Sequence, residues 1–272
     1  MKKYLLNVYM NLLFVLFNNT RPLEENWRLS REYRHLKRNS GIQYDPTIID
    51  VGYKDGVDKV SLPEGFPEAV AHLFEDAPRK QGTAYQNLPL DRRLVVKDAL
   101  IDIADQLKPI AERYFGSKCR VHWVVVNRLN CSEKFDGDST FWHSDNCPVG
   151  SLKAMVLLKP LSDELGGQFE IMDRPQSRTM RRHGCIPDSL IRSRKEIDAI
   201  VAGRVRSSKR FSGKPGDVVW FDNNVLHKGN SPRVVPRDTL LFQFYPTALD
   251  NYDDYLRRDE GAVTTAPASF MS

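Results

Sequence analysis

Val121-His122-Trp123-Val124-Val125-Val126-Asn127 is a run of β-forming residues that begins shortly after Gly116, where a helical period ends. Ala154-Met155-Val156-Leu157-Leu158 and residues 168–172, 217–221 and 239–245 have the same character. Turn signals at Gly166-Gly167 and Pro215-Gly216 separate them. From residue 120 onward the chain therefore reads as strands. Before it, residues 94–115 read as a helix: Leu100, Ala104, Leu107, Ala111 and Tyr114 recur at three- and four-residue intervals, with a kink expected at Pro109. The fold class is a β-rich α+β core with a helical N-terminal part and one long insertion.

Residues 21–90 read as irregular, punctuated by Asp45-Pro46, Asp55-Gly56 and Pro63-Glu64-Gly65. At the N-terminus, Lys2-Lys3 precede a stretch from Tyr4 to Phe17 whose only polar members are Asn7 and Asn11. Four residues apart, these asparagines form one narrow polar stripe on an otherwise apolar helix. Docking on the core is the first expectation for this helix, ahead of peripheral contact with a membrane through residues 4–17. A cleaved export signal ranks last, because the run exits into Asn18-Asn19-Thr20-Arg21-Pro22 without a small-residue cleavage site. A further helix is expected over 188–202, capped by Asp188 or Ser189 and ended by Gly203. The tail from Gly261 to Ser272 is small and polar, and reads as frayed.

Of 272 residues, 41% are hydrophobic and 28% charged, which excludes wholesale disorder and leaves room for a full core. No apolar run reaches the length of a spanning helix. Four scattered cysteines without a CxxC pair argue against a disulfide framework or a cysteine-built zinc site, and for reduced thiols in a cytoplasmic protein. The net charge of +5 is uneven: residues 173–210 carry eleven Lys/Arg against four Asp/Glu. Such a segment suits an anionic partner. Nucleic acid is disfavoured, since no binding module accompanies the charge.

Two of the six histidines stand where chemistry is expected. His143 and Asp145 lie in Phe141-Trp142-His143-Ser144-Asp145-Asn146, and His227 follows the strand at 217–221. Two imidazoles and one carboxylate can occupy one face of an octahedral ion, the facial triad of non-haem Fe(II) oxygenases. Ten positions beyond His227, Arg237 and Thr239 fall on one face of an apolar strand. A guanidinium and a hydroxyl so placed make a fork for a carboxylate.

With these residues the chain resembles the Fe(II)/2-oxoglutarate-dependent dioxygenases, most of all the phytanoyl-CoA dioxygenase-like branch. Trp142-His143-Ser144-Asp145-Asn146 matches that branch's WHxDN, and residues 214–222, Lys-Pro-Gly-Asp-Val-Val-Trp-Phe-Asp, match the strand before its distal histidine. His227 with Asn230-Ser231 and Arg237-x-Thr239 resembles its closing motif. The resemblance covers about residues 120–247 and departs from the family between Gly166-Gly167 and Lys214, where roughly forty basic-rich residues replace a short stretch.

The resemblance implies a double-stranded β-helix, a jelly roll of the cupin kind. It implies Fe(II) on His143, Asp145 and His227, which are then the catalytic residues, with 2-oxoglutarate and O2 as cosubstrates. Arg237, Thr239 and Asn130 would hold 2-oxoglutarate. Asp145, where halogenases of this fold have Ala or Gly, points to hydroxylation with release of succinate and CO2. Arg128, Trp142, Arg181 and Arg182 are weaker candidates for substrate contact, with Trp220 and Phe242 as further apolar walls. Arg174, Arg178, Arg181, Arg182, Arg192, Arg194 and Lys195 would form a basic lid over the barrel mouth. The substrate class this suggests is an anionic small molecule or a lipid-linked or sugar molecule. A cupin-type metalloenzyme without 2-oxoglutarate and a non-catalytic jelly-roll binding protein are the alternatives, and the oligomeric state is undetermined. The organisation expected is one structural domain: 1–119 packed on the core, 120–247 the catalytic jelly roll with its insertion at about 173–213, and 248–272 a C-terminal helix and tail.

Overall fold

A computed structural model of the chain describes residues 2–17, 19–52, 58–75, 77, 85–131, 139–185, 193–206, 208–248, 254–257 and 269–271. In chain order the elements are α1 (Lys2–Phe17), α2 (Leu23–Asn39), α3 (Thr47–Gly52), β1 (Asp58–Lys59), α4 (Phe66–Glu75), β2 (Tyr85–Asn87), α5 (Leu90–Val95) and α6 (Lys97–Phe115). There follow β3 (Cys119–Leu129), β4 (Leu152–Leu157), β5 (Phe169–Ile171), α7 (Arg174–Arg182), α8 (Arg194–Ala202), β6 (Lys209–Phe211), β7 (Asp217–Phe221), β8 (His227–Gly229) and β9 (Arg237–Pro246).

The strands form two antiparallel sheets, β1-β7-β4-β9-β3-β2 and β6-β5-β8, and the second is extended by a bridge between His143 and His227. Alternation divides each long strand between two cores. Ala154, Val156, Val218, Trp220, Leu240, Phe242 and Phe244 face the helical layer, where they meet Leu100, Ile103, Ala104 and Leu107 of α6 and Phe74 of α4. Met155, Leu157, Val219 and Phe221 point the other way, toward Phe169, Ile171 and Phe211 of the smaller sheet. Two sheets closed over a shared interior, with helices on one outer face, are the jelly-roll core that the family resemblance implied.

Several elements depart from the sequence reading. Residues 21–90 are not irregular: α2, α3 and α4 occupy much of them. The helix α2 is rich in charge, and only Asn26, Leu29 and Leu36 are buried on it, a stripe too narrow to stand out. The turn at Pro63-Glu64-Gly65 is present, with Gly65 at φ +70°, while Asp55-Gly56 lies outside the described residues. The long helix breaks at Val96, and α6 runs on as helix through Pro109, which is exposed.

The basic insertion is mostly ordered. Asp173 caps α7 by accepting from Gln176 N–H, and Ser193 with Glu196 forms a capping box on α8. The expected caps Asp188 and Ser189 lie outside the described residues. Of the expected C-terminal helix, a 3-10 turn at Asp254–Arg257 is described. The frayed tail is corrected at Phe270, which is buried against Leu29, Leu36 and Tyr245 while its N–H donates to Glu32. All four cysteines are free thiols. Among the described residues no helix is long and apolar enough to cross a membrane.

Candidate metal centre

Backbone pairing brings the two histidines together. His143 N–H donates to His227 O at 3.0 Å and His227 N–H to His143 O at 2.9 Å, and the ring centroids lie 4.4 Å apart. Each ring is then oriented by the residue two before it: His143 Nδ1 is 2.7 Å from Phe141 O, and His227 Nδ1 is 2.9 Å from Val225 O. A carbonyl oxygen only accepts, so Nδ1 carries the hydrogen and Nε2 offers its lone pair. Both Nε2 atoms face Asp145, at 3.9 Å from Oδ1 for His143 and 3.6 Å from Oδ2 for His227. One ligand atom from each of the three lies within 4.8 Å of the others.

The Asp145 turn is latched to the chain before His227. Asp145 N–H donates to Asn223 O, Cys147 N–H to Asn224 Oδ1 and Asn224 Nδ2 to Cys147 O. Asn146, at φ +51°, accepts from both the N–H and the hydroxyl of Thr20. Burial pushes the His143 imidazole well below its ordinary pKa, with the neighbouring His227 adding to the effect. Burial also lowers His227, partly offset by Asp145. Burial alone would raise Asp145, but the Lys153 ammonium and both imidazoles hold its carboxyl well below the usual range. The result is two neutral imidazoles and an ionised carboxylate, the protonation states that bind a divalent cation. Cys147 is buried, its thiol pushed up to about 11 by burial, with Asn223 Nδ2 donating to its sulfur.

Lys153 was not foreseen. Its Nζ donates to Asp145 Oδ2 at 2.6 Å, with only 3% of the residue exposed. Oδ1 is left for a metal. The signal was available: Lys153 is the one charged residue of β4, at an inward position in step with Met155 and Leu157. Beside it, Trp123 and Val125 form a small cluster with Leu241, and the Lys153 ammonium sits 5.9 Å above the Trp123 ring.

Arg237 and Thr239 do share a face, on β9 opposite Leu129 and Asn127 of β3. Arg237 is buried; Nη1 donates to Gly167 O at 2.7 Å and Nη2 to the Tyr85 hydroxyl at 2.9 Å. Its Nε is buried with no hydrogen-bond partner among the described residues. A Cβ on Gly229, two residues past His227, would lie 2.8 Å from Nη2 and 3.0 Å from Nη1, so glycine there is what admits the guanidinium. Thr239 donates its hydroxyl to Asn127 Oδ1 at 2.7 Å. Tyr85, Asn127 and Gly229 therefore complete a constellation of which the sequence showed only two members.

The other candidates separate from this group. Arg128 lies on the opposite face of β3 and makes a bidentate pair with buried Asp238, at 2.6 and 2.7 Å, while Lys159 joins the same carboxylate at 2.8 Å. That pairing, and a Phe74 ring 4.6 Å beneath the guanidinium, engage it away from the triad. Asn130 is half-buried one residue past β3, next to Leu129, the register partner of Arg237. Trp142 points outward from the histidine bridge into a cluster with Met172, Met180, Ile197, Val201 and Leu226. Trp220 and Phe242 face the helical layer and are no walls of the site. Of the basic segment, α7 and α8 pack through Met180, Ile197 and Val201 onto Trp142 and Leu226, the neighbours of the bridged His143 and His227. Arg181 is buried, and burial lowers its guanidinium to about 9 despite nearby Asp222; Arg182 is exposed and Arg192 lies outside the described residues.

Solved structures to which this fold is similar include EctD from S. alaskensis with 2-oxoglutarate and 5-hydroxyectoine, at 17% identity, covering 85% of this chain and 93% of that one, with a TM-score of 0.43. The non-heme alpha ketoglutarate dependent epimerase SnoN from nogalamycin biosynthesis is 17% identical over 90% of this chain and 95% of that one, with a TM-score of 0.45. HygX from Streptomyces hygroscopicus, solved with nickel and 2-oxoglutarate, is 14% identical over 80% and 88%, with a TM-score of 0.39. No family model and no curated protein matches the sequence.

Proposed function

We propose that this protein is an Fe(II)- and 2-oxoglutarate-dependent oxygenase of the phytanoyl-CoA dioxygenase-like branch, hydroxylating an anionic small molecule. The observation that carries the reading is the convergence of two Nε2 lone pairs and one carboxylate, each imidazole held by its own backbone. Two imidazoles and a single carboxylate leave one face of an octahedral ion open, which suits Fe(II) rather than a closed structural site. The 2-oxoglutarate assignment rests on Arg237: a buried guanidinium whose Nε lacks a partner is a seat for a carboxylate. The bound iron would supply oxidation with O2, succinate and CO2 being the coproducts.

The chain's own residues fix coordination and keep water out. Lys153 holds one oxygen of Asp145 and orients the other. Tyr85 and Gly167 O hold Arg237 in place. Trp123, Val125 and Leu241 supply apolar surface near Lys153.

Anaerobic absorption spectroscopy tests the assignment. Fe(II) followed by 2-oxoglutarate should produce a weak visible charge-transfer band in the wild type that both His227→Ala and Arg237→Ala abolish. A wild type that binds iron and gives no band with 2-oxoglutarate would be a cupin-type enzyme or a binding protein instead.

A further inference from the structure

The helix α1 turns its inner side to the body of the protein, where Met10 and Leu13 are buried. Its outer side is also apolar. Leu5, Val8, Tyr9, Leu12 and Leu16 recur at three- and four-residue intervals and all face solvent, Leu5 at 60% and Leu16 at 56% exposure. From Leu5 to Leu16 the stripe runs about 17 Å at the rise of an α-helix. Leu23 and Trp27 on α2, both exposed, continue the apolar surface.

Charge borders the stripe asymmetrically. Residues 1–23 contain three Lys/Arg and no Asp or Glu. Beyond Leu16 and Trp27 opens a cavity of about 510 Å³, also lined by Arg34, Tyr114, Arg174 and Arg178. Arg174 is engaged by Asp222 and the Tyr114 hydroxyl. Arg34 and Arg178 have no carboxylate partner among the described residues; Arg34 donates only to Ser30 O. On α2, Glu25 is paired with Arg21 and Glu32 with Arg28, while Glu24 is exposed beside Leu23.

From this juxtaposition we infer that α1 and the Arg34–Arg178 cavity form a docking surface for an anionic lipid bilayer. The leucine stripe lies in the interface plane, Trp27 stands at the headgroup level, and the two unpaired guanidiniums receive lipid phosphate. An amphipathic helix carrying leucine and aromatic residues beside basic ones has the composition of an interfacial anchor. The inference is independent of the proposed catalytic activity, since neither metal nor 2-oxoglutarate enters it.

Cosedimentation of the full chain with vesicles of phosphatidylcholine, with and without phosphatidylserine, tests it. The wild type should bind the anionic vesicles, and Leu12→Asp with Leu16→Asp should weaken binding by roughly a hundredfold. Arg34→Gln and Arg178→Gln should weaken it by about fivefold each, an effect that added salt also produces. Retained metal binding by His143, Asp145 and His227 shows that the variants fold. Quenching of Trp27 emission by brominated lipid reads the contact in the wild type without any substitution, and its loss in Trp27→Phe assigns the signal. Failure to bind anionic vesicles overturns the inference, as does binding that survives the leucine pair or the arginine pair. A wild-type dimer made monomeric by Leu12→Asp overturns it too, making the stripe a self-interface.

Discussion

Substituting Gly229 by alanine tests the placement of Arg237 directly. Gly229 does not adopt a positive φ, so the backbone accepts alanine and the effect is confined to the added methyl. That Cβ would lie 2.8 Å from Nη2 and 3.0 Å from Nη1, where ordinary contact begins at 3.4 Å. The guanidinium must therefore retreat by 0.6 Å at one nitrogen and 0.4 Å at the other. Moving away from Gly229 stretches the Nη2 bond to the Tyr85 hydroxyl, 2.9 Å long, to the edge of hydrogen-bond range, while the Nη1 bond to Gly167 O, 2.7 Å long, has more room. One charge-assisted hydrogen bond lost in the interior costs about 2 kcal/mol. The expected fall in Tm is about 4–8 °C for a chain of this size. If the same displacement spoils the carboxylate seat, 2-oxoglutarate affinity should fall about thirtyfold, which is the same free energy expressed as binding. Denaturant unfolding of the metal-free protein and 2-oxoglutarate titration of the Mn(II) form measure the two quantities. Repeating Gly229→Ala in an Arg237→Ala background supplies the control, and there the substitution should cost less than about 0.5 kcal/mol. Equal cost in both backgrounds, or unchanged stability and affinity in the first, would show that the guanidinium does not lie against Gly229.

Asp238→Asn should destabilise the fold by about 3–5 kcal/mol, because it strands buried Arg128 together with Lys159, yet leave the metal affinity of the folded protein unchanged; urea unfolding and metal titration separate the two. Lys153→Met should destabilise the metal-free protein by about 3 kcal/mol and enlarge the rise in Tm on adding Mn(II), since a divalent cation takes over the charge balance of Asp145; a rise equal to that of the wild type contradicts this. Because burial depresses both imidazoles in the folded state, the unfolded chain takes up protons first as pH falls below about 6.5. Stability of the metal-free protein should thus be full above that pH and decline below it, and a His143→Gln/His227→Gln variant should flatten the decline in urea midpoints measured from pH 7.5 to 5.5.

The strands β3, β4, β5, β7 and β9 were legible because each carries an apolar face toward a core, and two buried faces leave a dense run of Val, Ile, Leu and aromatic residues in the sequence; β6 and β8, short and polar, left no such run. The triad was legible because His143 and Asp145 form a His-x-Asp pair and His227, one of only six histidines, follows the strand at 217–221. The helix α2 was hidden because most of its side chains meet water and its buried stripe is only a few residues wide. Arg128 and Arg237 look alike as inward-reading arginines on neighbouring strands. Their fates divide at the pairing of β3 with β9, which sets Arg128 against Asp238 and Leu129 against Arg237. A one-residue difference in register decides which side of a sheet a side chain occupies.

By itself the sequence determined the core strands, the candidate metal-ligand residues and the Arg237–Thr239 face, since these follow from local alternation and residue chemistry, while the jelly-roll class was what the family resemblance implied. Tertiary structure alone decided that Lys153 meets Asp145, that Tyr85 and Gly229 frame Arg237, and that Trp142, Trp220 and Phe242 turn away from the site. Those relations join residues dozens of positions apart through strand register and helix packing, and no periodicity in a single segment encodes which distant segment will lie beside it.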